Sequence, residues 1–140
     1  MSNMRTVSAL SALFFVTACS QHSDVDNEMV RGFEVLPNQT LLVVKVKSSE
    51  YTGLYPYDCP EDKCIPFYFW FVYKADVLDV VNGDFEEKSL TFAALHHTYY
   101  AEKVTDNWYV LIEKFDEKPM TELGVQYRVI KHDARAFHSE

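Results

Sequence analysis

The stretch FYFWFVYKADVLDVVNGDF, Phe67–Phe85, is the spine on which the rest of the chain can be placed. Its first seven residues are all apolar or aromatic. That is far short of the ~20 needed for a membrane-crossing helix. Phe67, Phe69, Phe71, Tyr73 and Ala75 alternate with Tyr68, Trp70, Val72, Lys74 and Asp76, the period of a strand. After Asp76 the parity slips: Val77 and Val81 flank Asp79, while Leu78 and Val80 oppose them. A long strand that changes face in this way predicts a bend with a bulge. Asn82-Gly83 then supplies a tight-turn pair.

Four shorter strands are predicted around this one. Thr40–Ser48 sets Leu42, Val44 and Val46 against Lys45 and Lys47, one face buried and one wet. Lys88–Ala94 returns from the turn with Leu90, Phe92 and Ala94 on one face. Trp108–Phe115 and Val125–Lys131 follow. Between them lie an irregular segment Ser49–Pro66, a loop or short helix at Leu95–Asn107, and a connection Asp116–Gly124 holding Pro119 and Gly124. Five strands and no long helix predict an all-β (or β-rich α+β) domain. Closing the sheet as a small antiparallel barrel hides its edges; a β-sandwich is the alternative. The run YKADVLDVVNGDFEEKSLTF is similar in style to the oligomer-binding (OB) barrels of the netrin/tissue-inhibitor-like domains. That resemblance spans residues 67–131, without those families' cysteine framework, and implies a five-stranded OB-like barrel.

The N-terminus carries a different kind of information. Arg5 precedes a short apolar run, Ser8–Val16, and then Val16-Thr17-Ala18-Cys19. The run has the length of a secretory h-region. With a cysteine directly after small residues, it resembles the lipobox signal of bacterial lipoproteins. The resemblance covers residues 1–19 and implies removal of residues 1–18 and acylation of Cys19, including an amide-linked chain such as palmitate. Several acyl chains anchor stably where one does not. In that family an aspartate after the cysteine retains the protein in the inner membrane. Here the residue is Ser20, which implies the periplasmic side of the outer membrane of a Gram-negative cell. The expected organisation is a signal peptide at 1–18, a lipidated cysteine and flexible tether at 19–30, and one barrel-like domain at 31–140. Of three cysteines, Cys59 and Cys64 remain after lipidation, and an oxidising compartment predicts a disulfide between them. Loss of Arg5 with the signal moves the net charge from −8 to −9.

Such an acidic surface speaks against nucleic acid and anionic lipid headgroups and is compatible with a basic protein. No Gly-x-Ser-x-Gly or glycine-rich phosphate loop occurs, and there are four glycines in 140 residues. His96-His97 would point to opposite faces of a strand, so they do not form a shared metal site there. The carboxylates Glu61, Asp62, Asp84, Glu86 and Glu87 lack the spacing of a calcium loop and read as solvated turns. No enzyme, cofactor or metal is therefore expected. The remaining lead is aromatic: nine of the 21 aromatic residues fall between Tyr51 and Tyr73. Tyr51, Tyr55, Tyr57, Tyr68 and Trp70 are the candidate binding surface, since Tyr and Trp dominate binding hot spots. The expected function is a non-catalytic, membrane-anchored protein-binding module, either an envelope-complex accessory or an immunity or inhibitor protein. The alternative is binding of a glycan or other small envelope ligand on the aromatic surface.

Overall fold

The computed structural model describes residues 25–56, 66–97 and 106–134. Five strands form a closed barrel in the order β1-β2-β3-β5-β4. They are β1 (Gln39–Tyr51), β2 (Phe69–Asn82), β3 (Ser89–His96), β4 (Trp108–Lys114) and β5 (Tyr127–Ala134), with short helices α1 (Asn27–Val30) and α2 (Glu117–Leu123). This is the OB-like barrel the strand pattern predicts, not the sandwich. Closure is not wholly antiparallel: β3 and β5 meet in parallel at Phe92↔Tyr127 and Ala93↔Arg128.

The inward alternation holds for the first half of β2. Phe71, Tyr73 and Ala75 are buried with Leu42 and Val44 of β1, Leu90, Phe92 and Ala94 of β3, and Trp108, Val110 and Ile112 of β4. Tyr73 stacks on Phe92 at 5.5 Å and meets Trp108 edge-on at 5.1 Å, so aromatic rings fill the barrel's middle layer.

The parity slip is real, and its outcome differs from the expectation. Leu42 pairs with Val80 and Val44 with Val77, so Val81 and Leu78 are extra residues on β2. These two bulges send Val77 and Val80 inward. Leu78 and Val81 turn outward, onto Met29, Val43 and Tyr109. The outer face of β1 is therefore dry as far as Val43 and wet from Lys45 onward.

The cover on that face is α1. Asp26 caps it through its side chain, accepting from the Glu28 N–H at 2.9 Å. The Asp26 N–H donates to the Tyr109 hydroxyl at 2.8 Å. Met29 is buried and Val25 packs beside it. Val25, Met29 and Val30, inside the segment expected to be tether, thus pack on the barrel wall.

The connection after β4 also differs from expectation, because it contains α2. Pro119 lies in the helix's first turn, where backbone N–H groups have no intrahelical partner, and Gly124 follows the last turn at φ 66°. Both residues read as loop signals by composition and act here as helix punctuation. Leu123, Phe115 and Val125 pack over Trp70 and Ala93 on the outer face of β2 and β3.

Candidate functional site

The barrel has two ends. At one, the β2–β3 loop returns Phe85 onto the core beside Tyr127. A groove of about 460 Å³ lies there, lined by Gln39, Thr40, Phe85, Glu113 and Tyr127 among others. One of its carboxylates, Glu113, is held by neighbouring side chains. Gln39 Nε2 donates to Glu113 Oε2 at 3.1 Å, and Arg128 Nε donates to Glu113 Oε1 at 2.9 Å. These bonds hold the Glu113 carboxyl below its ordinary range, the Gln39 bond first and then Arg128.

The opposite end gathers the aromatic residues. Here β1 finishes at Tyr51, β2 begins at Phe69, β3 finishes at His96, and β4 begins at Trp108. Tyr51 is the last residue of β1, paired with Phe71 rather than lying in a loop. Its ring is 45% exposed and sits edge-on to Phe69 at 5.3 Å. The chain then turns through Gly53 at φ 72°, tied back by Thr52 Oγ1 donating to the Trp70 carbonyl at 2.7 Å. This places Leu54, 41% exposed, and the half-buried Tyr55 beside Phe69. Phe67 and Tyr68 precede β2 and are 69% and 45% exposed. His97, exposed just past the end of β3, lies 3.9 Å from Tyr68 and 4.4 Å from Phe67 between ring centroids.

Of the predicted surface, Tyr51, Tyr55 and Tyr68 therefore come together at one end. Trp70 does not join them: its ring is 8% exposed and packs edge-on against Phe115 at 5.2 Å. The reason is α2 and its flanks, which cover the outer face of β2. Tyr57, and the predicted disulfide cysteines Cys59 and Cys64, lie outside the described residues, as does Cys19. Phe67, expected on the inner face, is the most exposed of the cluster, because the strand starts only at Phe69. Pro66 was the available signal, since a proline supplies no N–H to a ladder. Leu54 carried no signal in the sequence, and His97 drew notice only as half of the His96-His97 pair.

His96 and His97 part company as adjacent strand residues should. His96 points inward and is 4% exposed, against Tyr73, Trp108 and His132. Burial, and then the neighbouring His132, push it from an ordinary 6.5 down to about 3. Among the described residues no three His, Cys, Asp or Glu side chains converge on a point. Asp84, Glu86 and Glu87 are solvent-exposed in the β2–β3 loop.

Most ring pairs at this end cross steeply, while Tyr68 on His97 tilts at 40° and Tyr51 on Phe71 at 49°. The interplanar angle is 66° for Tyr51 on Phe69, 81° for Tyr55 on Phe69, 68° for Phe67 on Tyr68 and 86° for Phe67 on His97. Such a surface offers edges and faces in several directions instead of one flat platform. No family model, no curated protein and no solved structure matches the chain.

Proposed function

We propose that the chain is a lipoprotein on the periplasmic side of the outer membrane, acylated at Cys19, whose barrel is a non-catalytic module that docks a protein through its aromatic end. The carrying observation is the cluster of exposed Phe67, Tyr68, Tyr51 and Leu54, gathered at one end and crossing at 66° to 86°. Isolated exposed apolar residues are ordinary, but a contiguous aromatic patch marks an interaction surface. Steeply crossed rings suit the irregular apolar relief of a protein. A flat sugar ring stacks best on a coplanar platform, which Trp70, buried under Phe115, does not help to build. The glycan reading keeps one observation in its favour, the 40° tilt of Tyr68 on His97. An accessory subunit of an envelope complex and an immunity protein both fit this description.

The test is crosslinking and co-purification from envelopes of cells making the full chain or its Phe67→Ser/Tyr68→Ser variant. Both substituted rings are exposed, so the variant is expected to keep the fold's stability within about 0.5 kcal/mol. The reading requires a protein recovered in proportion with the full chain and lost with the variant. Equal recovery by both, or binding of cell-wall glycan fragments that the variant abolishes, would overturn it. Loss of palmitate labelling in Cys19→Ser tests the anchor separately.

A further inference from the structure

The parallel seam between β3 and β5 is the shortest junction in the barrel. Among the described residues it consists of two residue pairs, Phe92↔Tyr127 and Ala93↔Arg128. Both strands run on past it, β3 to His96 and β5 to Ala134. Across that stretch the His96 and His132 rings meet edge-on with centroids 5.2 Å apart. Trp108 Nε1 donates to His132 Nδ1 at 3.3 Å. That bond requires a lone pair on Nδ1, so His132 is neutral with its proton on Nε2. His96 sits among Phe71, Tyr73 and Trp108 at 5.8, 5.6 and 5.8 Å. The groups facing the pair are Tyr73 from β2, the uncharged Trp108 from β4, and, beside His132 on β5, the carboxylate of Asp133. From β1, Tyr51 reaches Phe71 at the barrel's mouth.

We propose that His96 and His132 form an acid-sensitive latch, in which protonation of either imidazole parts the C-terminal ends of β3 and β5 and moves the aromatic surface at that end of the barrel. A proton on His132 Nδ1 converts the acceptor of the Trp108 bond into a second donor pointing at the first. A proton on His96 places a charge where aromatic rings replace water. With both protonated, two cations stand about 5 Å apart in a buried setting. Burial lowers both imidazoles' affinity for protons, with Asp133 opposing it at His132. Among the described residues the β3–β5 ladder has two residue pairs against ten between β1 and β2, so the seam yields before the longer ladder. His97, next along the chain from His96, carries the contacts to Tyr68 and Phe67. The effect on binding rests on the function proposed above; the opening itself does not.

Trp108 reports the opening directly, since it is fully buried. In the full chain carrying Trp70→Phe, Trp108 is the remaining tryptophan, and its emission is followed from pH 8 to pH 4. The expected result is a reversible shift to longer wavelength with a midpoint below 6.5, before loss of the barrel's circular dichroism. His96→Phe combined with His132→Gln, which keeps an acceptor for Trp108, is expected to abolish that shift. An unchanged emission down to pH 4, or the same midpoint in the double variant, would overturn the latch. Amide exchange in the unsubstituted full chain provides a check independent of the variants. At pH 5, protection corrected for the slower intrinsic exchange of amides in acid should fall at Ala94–His96 and Val129–Asp133 ahead of Leu42–Val46; a uniform loss of protection along the chain would mean global unfolding and would also overturn it. Partner binding that is unchanged by pH while Trp108 still responds would count against the proposed binding surface alone.

Discussion

Gly83→Ala tests how tightly the β2–β3 connection is built, and Gly124→Ala supplies its control. Gly83 has φ 91°, a region where an L side chain costs about 1–2 kcal/mol. A methyl group there would also lie 2.8 Å from the Gln39 carbonyl oxygen, 2.9 Å from Thr40 Oγ1 and 3.1 Å from Thr40 Cα. Two of these atoms are backbone, and Gln39 and Thr40 are held in register against Glu113 and Ile112 of β4. The nearest contact and the Cα are backbone and the short Thr40 side chain is itself bonded to the Asp84 carbonyl, so little can move aside, and overpacking adds roughly 1–3 kcal/mol. The variant's less flexible unfolded chain returns about 0.4–1 kcal/mol. The net expectation is a loss of about 2–4 kcal/mol. Gly124 has φ 66° and open space around its Cβ direction, so only the conformational part applies, a net loss of about 1 kcal/mol or less. Urea unfolding followed by circular dichroism measures both. With a slope of about 1–3 kcal/mol/M, Gly83→Ala should lower the midpoint by on the order of 1–2 M at unchanged slope. Equal losses in the two variants would refute the close approach of Gly83 to β1.

Other substitutions probe the layers outside the barrel. Phe115→Ala should destabilise by about 3–5 kcal/mol and expose the Trp70 ring, seen as acrylamide quenching of a tryptophan that was protected before. Tyr109→Phe removes the acceptor for the Asp26 N–H and should cost about 1 kcal/mol, with faster amide exchange at Val25–Met29 and little change in the strands. Glu113 loses a proton more easily folded than unfolded, so its contribution is present above about 4.5 and fades as pH falls through its lowered folded value. Glu113→Gln should therefore weaken the fold at pH 7 by about 1–2 kcal/mol and approach the parent at pH 3. His96 runs the same way in pH for a different reason. It is a base that is harder to protonate folded than unfolded, so stability is full above 6.5 and falls as the medium is acidified. At pH 5 that amounts to on the order of 2 kcal/mol, absent in His96→Phe and measurable as a difference in urea midpoint.

The barrel was legible because strands with one buried face write that face into alternate residues. Phe71, Tyr73 and Ala75, then Leu90, Phe92 and Ala94, then Trp108, Val110 and Ile112 all point where alternation sends them. What alternation could not convey is the second shell of burial. Trp70 and Val72 look solvent-facing until Phe115 and Leu123, far along the chain, are laid over them. Val43 and Tyr109 look half-wet until Met29 covers them, and Met29 lies in a mostly polar segment with no sustained period. Bulges have the same opacity. A parity slip announced that one existed in β2, but which residues it ejects depends on where β1 skips, between Leu41 and Leu42 and again between Val43 and Val44. The candidate site was half legible for a related reason. Aromatic density located the end of the barrel, while the exposure of Phe67 and the burial of Trp70 were set by neighbours from other elements.

The docking of Val25 and Met29 onto the barrel wall sets a distance as well as a boundary. Val25 already packs on the wall, and five residues lie between it and Cys19. A fully stretched chain spans at most about 3.3–3.6 Å per residue, so that leash reaches no further than about 20 Å. On the proposed anchoring, the barrel rides within roughly its own width of the bilayer surface. So anchored, it would be too tightly moored to sample the depth of the periplasm, and any partner would have to meet it close to the membrane.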